Sequence, residues 1–437
     1  MKARDRPLPE IAGNLPICQT IVELTAIADE ASQGVGSHLR GDESEIDERF
    51  LYHAAELLER KLPGSSVCEE IDASRLRVLP KMHTPQSGLT VRSLSLYLAL
   101  FSGNEVVPEW VQLTSPLEGE GLNLLIVPWP TQIYPAQFRV ADPPPAEMRN
   151  MPEQFGFFTF EHKKAERNVV DVVASLYERA EEQVKRIHGV VLPELALSSE
   201  EHDALRADIL PRGSFLVSGV GRSSRSPTSH GENQVCLDIP FNEPLFQHKH
   251  HRWKLDGPQV MQYNLGSILY PEREWWEHIG LAERRCLFAS IHPDMILSVL
   301  VCEDLARPDP VGDLVRAVGP NLVITVLMDG PQLKERWSGR YATTLADDPG
   351  CSVLSITSLG MSKLSRPRSG PSRSQVIALW KDAKNGVATE VELEPGAEAV
   401  VLSLSMQYRE EWTADGRCDN GNAVYPMLSG LHCVKTT

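Results

Sequence analysis

Short runs of consecutive apolar residues alternate with stretches of helical periodicity through the middle of the chain, and this alternation restricts the fold to the α/β class. Val190-Val191-Leu192 follows a long helical run and reads as a buried strand, closed by Pro193 because proline cannot donate to a ladder. Met295 to Val301 ends in Cys302-Glu303-Asp304, and Leu322 to Leu327 ends in Met328-Asp329-Gly330-Pro331. In open α/β sheets the carboxyl ends of strands are where ligands bind. Glu194, thrown out just past Pro193, reads in isolation as a solvated loop glutamate. Residues downstream change that reading, because a carboxylate at such an edge must be paired or used.

The 437 residues are 42% hydrophobic and 23% charged, enough for one large domain with an appendage or for two domains. A formal net charge of -16 and a pI near 5.3 leave no basic surface for nucleic acid and disfavour anionic membranes. No apolar run approaches the roughly 20 residues of a membrane span. The N-terminus lacks the apolar core of a signal peptide, so a cytoplasmic location is expected. Eight cysteines without a C-x-x-C pair read as reduced thiols, most of them small buried hydrophobes.

From the start, Ile17, Ile21, Leu24 and Ala28 mark one face of a helix over Leu15 to Ala31, and Ile46 to Leu58 mark a second between about Ser44 and Leu62. Both are expected to pack on the chain's own core or to meet a protein partner. Leu94 to Leu100 alternates with polar residues and predicts a first strand. Further strands are expected at Leu122 to Val127, Ser214 to Val220, Gln234 to Ile239, near Arg285 to Ile291, and at Ser352 to Ser358, with a loop or insertion at Asp142 to Pro145 before Phe157-Phe158-Thr159-Phe160. Ser374 to Leu379 and Glu390 to Ser405 read as closing strands. Between them, Ala165 to Ile187 has the spacing of a long helix, and helices are expected near Val311 to Val318 and Arg340 to Ala346. The loop Gly221 to Pro227 is expected to be open to proteases. Gly219-Val220-Gly221 lacks the strand-to-helix setting of a dinucleotide fingerprint.

Glu194, Lys249 and Cys302 together form the minimum set for nucleophilic attack on a carbon bonded to nitrogen. The thiolate attacks and a nearby cation favours it. A glutamate takes the thiol proton and returns it to the departing amine, while lysine and the backbone N–H after the cysteine stabilise the tetrahedral oxyanion. The order Leu-Pro-Glu, Lys-x-His, Cys-x-Asp resembles the nitrilase, or carbon-nitrogen hydrolase, superfamily, with Glu194 in VVLPELA, Lys249 in HKHHRW and Cys302 in VLVCEDLARP. GSFLVSGVG and NQVCLDI resemble the two strands that precede the family's lysine, and Asn321 to Pro331 the strand after its cysteine helix. KHHRWKL and WWE are also similar to nitrilase-like domains associated with bacterial reverse transcriptases.

The resemblance spans about Leu94 to Ser405. It implies a four-layer α-β-β-α sandwich at 89–410, behind an N-terminal helical extension at 1–88 and ahead of a C-terminal tail at 411–437. It implies catalysis by Glu194, Lys249 and Cys302 through a thioester, on a small-molecule amide or nitrile, with no cofactor and no metal, in a homodimer or higher homo-oligomer. The chain departs from the family pattern in that the usual arginine after the cysteine stands at Arg307. Glu277 is a candidate for the family's additional glutamate, and Lys254 rivals Lys249. His248, His250 and His251 are adjacent rather than on one face with other donors, which favours a structural role over metal binding. Trp253, Trp275 and Trp276 read as packing before substrate contact. Two other functions fit the same residues: a glutaminase passing ammonia to a partner, since Cys302-Glu303-Asp304 is similar to that motif in glutamine-dependent NAD synthetases, and a non-catalytic interaction module in a larger, defence-type assembly.

Overall fold

The computed structural model describes residues 7–31, 94–96, 106–112, 121–141, 152–162, 167–222, 230–281, 284–292, 295–365, 374–418, 421 and 423–436. The second helix expected at Ser44 to Leu62, the loop or insertion at Asp142 to Pro145 and most of the loop at Gly221 to Pro227 lie outside these residues.

The apolar runs assemble into two seven-stranded sheets. The first has the order β1 (Val107–Gln112), β11 (Arg285–His292), β12 (Met295–Val301), β13 (Leu322–Leu327), β14 (Ser352–Thr357), β15 (Val376–Lys381), β16 (Ala388–Glu392). Its centre, β12 to β14, is parallel. The second has the order β18 (Ala423–Val434), β17 (Ala399–Arg409), β2 (Gly121–Ile126), β5 (Gly189–Val191), β6 (Phe215–Arg222), β7 (Glu232–Asp238), β8 (Leu245–His248), with β2, β5 and β6 parallel. Parallel strands covered on both faces carry apolar side chains in both directions, which is why these segments are continuous rather than alternating.

The two sheets stack face to face. Leu124 and Ile126 of the second sheet join Leu297, Val299 and Ile324 of the first in one core. On the outer face of the second sheet, Leu125 and Val190 pack under the helices Val169–Val184 and Ser199–Ile209. On the outer face of the first, Leu300, Val323 and Val353 pack under Asp313–Val318 and Trp337–Asp347. The layer order is therefore α-β-β-α, as the resemblance implies. The long helix begins where Asn168 caps it, accepting from the Val170 N–H at 2.9 Å. It then buries Val169, Val172, Val173, Leu176 and Ala180 at helical spacing. A third sheet of four short strands, β3 (Phe138–Val140), β4 (Phe155–Phe160), β10 (Glu274–Glu277) and β9 (Lys254–Leu255), forms its own aromatic cluster with Trp253 and Trp275.

Three sequence expectations change, and the first helix forms as expected with part of its apolar face exposed. Of the strand at Leu94 to Leu100, the described residues Leu94 to Leu96 are buried but not in a strand, and the Leu96 N–H donates instead to Asp29 at 2.8 Å. Helix Leu15–Ala31 forms, yet Ile21 and Leu24 of its apolar face stay exposed among the described residues; its buried anchor is Asp29, paired with Arg417 at 2.8 Å. Glu390 to Ser405 is two strands, interrupted at Glu394-Pro395-Gly396, with β16 in one sheet and β17 in the other. The segment expected as a tail at 411–437 includes β18, which pairs with β17 over its whole length and closes that sheet's edge.

Candidate active site

The carboxylate is positioned by the turn after β5. Leu195 takes a positive φ of 51°, and the turn folds back on β6, where the Gly219 N–H donates to the Pro193 carbonyl at 3.1 Å and the Leu197 N–H to the Gly219 carbonyl at 3.1 Å. Such a close approach requires glycine. A Cβ on Gly219 would sit 2.2 Å from the Pro193 oxygen and 2.4 Å from Glu194 Cα, and one on Gly221 would sit 2.0 Å from Leu195 Cδ2. Gly219, in a Gly-Val-Gly meaningless as a dinucleotide fingerprint, is what lets the Glu194 turn lie against the sheet, because its obstacles are backbone, whereas the Leu195 side-chain end facing Gly221 can move aside.

Glu194 is wholly enclosed. Its Oε1 accepts from Lys249 Nζ at 2.7 Å and from Asn233 Nδ2 at 2.7 Å, and its Oε2 accepts from the Met328 N–H at 2.5 Å. Lys249 follows β8 directly and is tied to β7 by its own N–H, which donates to the Asn233 carbonyl at 2.9 Å. Its ammonium also reaches Glu277 Oε2 at 2.8 Å. Glu277, from the third sheet, accepts in addition from Asn233 Nδ2 at 2.7 Å and from the Trp253 N–H at 3.1 Å. Two carboxylates thus share one ammonium and one amide, all out of water.

Cys302 comes from the opposite sheet. It is the first residue past β12, 3% exposed, and holds a positive φ of 49° as the strand turns into Cys302–Leu305. A side-chain-bearing residue there costs about 1–3 kcal/mol, a strain met where a nucleophile is presented on a strand-to-helix elbow. The sulfur lies within electrostatic reach of both Glu194 and Lys249. Asp304 joins this elbow to the lysine loop by accepting from the His250 N–H at 3.2 Å and from His251 Nδ1 at 3.0 Å.

The electrostatics follow from burial. Desolvation pushes the Cys302 thiol well above its usual range, Glu194 adds to this and Lys249 opposes it, so the resting sulfur is protonated. Desolvation likewise raises the Glu194 carboxyl, against the pull of Lys249. Burial works against the Lys249 ammonium, but Glu194 and Glu277 outweigh it and hold the lysine charged well above the ordinary range. The arrangement contains a carboxyl of raised proton affinity, a protonated thiol and a charged ammonium.

The three residues singled out from sequence, Glu194, Lys249 and Cys302, converge. Glu277 joins them, and Lys254 does not: it lies on the surface, 2.8 Å from Glu274. Arg307 also points away, in an exposed pair with Glu303 at 3.2 Å. The histidine run is structural in its contacts, with His250 and His251 on Asp304 and His250 Nε2 on the Arg285 carbonyl at 2.9 Å. Among the described residues no cluster of three or more His, Cys, Asp or Glu could hold a metal ion. Trp253 and Trp275 are core residues, and Trp276 packs on Phe155.

Sequence reasoning missed Asn233, and with it a second network around Asp329. That carboxylate accepts from the Tyr263 hydroxyl, from Arg336 Nη2 at 2.5 Å, from the Gly330 N–H at 2.7 Å and from Trp337 Nε1 at 3.0 Å. It lies within electrostatic reach of Cys302. Its position at the end of β13 was the available signal, since the two other strand ends singled out carry Glu194 and Cys302.

The α-β-β-α layer order is the one the sequence resemblance implies. No family model matches the chain, and no curated protein matches it. Solved structures do: an amidase from Nesterenkonia sp. at 16% identity, covering 66% of this chain and 92% of that one with a TM-score of 0.38. A second is XC1258 from Xanthomonas campestris, described as a CN-hydrolase superfamily protein with an arsenic adduct in the active site, at 16% identity, 65% and 91% coverage and a TM-score of 0.37. A third, Nit3 of Saccharomyces cerevisiae, a member of branch 10 of the nitrilase superfamily, matches at 12% identity, 67% and 93% coverage and a TM-score of 0.39.

Proposed function

We propose that the protein hydrolyses a non-peptide carbon-nitrogen bond, that of a small amide, through a thioester on Cys302. The observation that carries this reading is a buried Glu194–Lys249 pair at 2.7 Å within electrostatic reach of a strained cysteine elbow from the facing sheet.

The steps follow from the protonation states. Glu194 takes the thiol proton as sulfur attacks the carbonyl carbon, which matches a base whose affinity for protons is raised by burial. The carbonyl π bond becomes an oxyanion, stabilised by Lys249 and by the backbone N–H after Cys302. Glu194 returns its proton to the nitrogen, the carbon-nitrogen bond breaks, and ammonia or an amine leaves behind a thioester. Water then attacks, losing its proton to Glu194; the carbon-sulfur bond breaks and the sulfur is reprotonated. Lys249 stays charged throughout, because its two carboxylate partners hold it so.

Incubation with a panel of amides and nitriles, followed by intact mass and peptide mapping, tests this. An acyl adduct on Cys302 that is absent in Glu194→Gln supports the reading. Turnover or adduct formation that survives Cys302→Ala refutes it.

A further inference from the structure

Asn233 stands on β7, and its side chain touches both glutamates. Nδ2 is 2.7 Å from Glu194 Oε1 and 2.7 Å from Glu277 Oε1, so both amide hydrogens are committed. Its carbonyl oxygen is buried without a hydrogen-bond partner among the described residues. Turning the amide over would satisfy that oxygen no better and would set it against two carboxylates. The orphaned acceptor is therefore the consequence of using the nitrogen end as a clamp, and an unsatisfied buried acceptor of this kind calls for a functional cause. The backbone of the same residue holds the lysine loop, accepting from the Lys249 N–H at 2.9 Å. One residue thus touches three of the four groups at the site.

We propose that Asn233 is the positioning residue of the site: its amide nitrogen clamps Glu194 and Glu277 in one frame around Lys249, fixing the carboxylate edge that Glu194 presents to Cys302. This rests on the hydrolase reading above. It explains why two carboxylates stay ordered about a single cation, since the amide gives each a donor besides the ammonium. The titratable and charged groups around the clamp are Lys249 past β8, Glu277 of β10, the Cys302 thiol and Glu303 past β12, and Asp329 past β13, itself satisfied by Arg336 and Tyr263.

The test uses the pH dependence of Cys302 carbamidomethylation by iodoacetamide, followed by peptide mass on the full chain, because it reads the base without needing the natural substrate. In Asn233→Leu both donors are lost, and the acid-side inflection is expected to move to higher pH by about one unit or more. On any amide that is turned over, kcat should fall while KM changes little. Asn233→Ser, which can donate one hydrogen bond, should move the inflection in the same direction by less. A folded Asn233→Leu whose profile superimposes on that of the unmodified protein overturns the proposal. If the leucine variant does not fold, the serine variant decides by the same criterion. Glu194→Gln separates this from the parent reading: a profile unmoved by Glu194→Gln sinks the hydrolase mechanism, whereas one moved by Glu194→Gln and not by the Asn233 variants sinks the clamp alone.

Discussion

Replacing Gly219 by alanine should disable the site from behind, without touching any of the groups that would react. The added methyl would lie 2.2 Å from the Pro193 oxygen and 2.4 Å from Glu194 Cα, and both obstacles are backbone. Reaching even a 3.0 Å contact requires the turn to open by about 0.8 Å, and packed interiors resist such shifts. Glu194 would be carried with its backbone. Its bonds to Lys249 at 2.7 Å and to the Met328 N–H at 2.5 Å would then stretch to the edge of hydrogen bonding or beyond. Overpacking of this kind costs about 1–3 kcal/mol of stability, and a catalytic group displaced by roughly 1 Å loses on the order of 100-fold in rate. The assay is initial velocity on an amide identified by adduct formation, with thermal unfolding alongside. Gly213→Ala is the control: its φ of 80° strains an alanine, but nothing lies within 4 Å, so it should lose about 1–2 kcal/mol and keep its rate. A Gly219→Ala protein with unaltered velocity would refute the idea that β6 sets the position of Glu194.

Three further outcomes follow from the same geometry. Lys249→Met removes the cation between two enclosed carboxylates and should abolish acylation while destabilising the fold by about 3–5 kcal/mol, measured by denaturant unfolding; Lys254→Met, at an exposed pair, should change neither. The rate should rise with pH through an inflection above the ordinary glutamate range, because burial raises Glu194 and only its ionised form accepts the thiol proton; it should show no fall where a free lysine loses its proton, near about 10.4, because Glu194 and Glu277 hold Lys249 charged. An inflection at or below the free-glutamate value would contradict the assignment of Glu194 as the base. Asp304→Asn weakens the carboxylate that joins the cysteine elbow to the lysine loop, so Cys302 carbamidomethylation should slow several-fold at an unchanged inflection pH.

The parts of this protein legible in its sequence are those governed by neighbours along the chain. Met295–Val301 and Leu322–Leu327 are strands over the very residues their composition marks, and the helix at Val169–Val184 follows its apolar spacing. Pro193 and the end of β12 place Glu194 and Cys302 at strand ends because a broken ladder is a local event. Periodicity could not tell that Glu390 to Ser405 is divided between two sheets, or that Ala423–Val434 closes an edge, since strand pairing is a choice among partners distant in sequence. The same limit held at the site. Lys249 and Lys254 are five residues apart and chemically identical; only the turn after β8 directs one to Glu194 and leaves the other in water. Asn233 carries no local mark of function and Glu277 only that of a candidate, and both acquire a role because the folded core brings carboxylates, amide and ammonium from two separate strands and two turns into one enclosed volume. The sequence by itself determined which segments must be buried and which polar residues end them. Only the tertiary structure decided which of those residues meet, because desolvated charges select their partners by position in space.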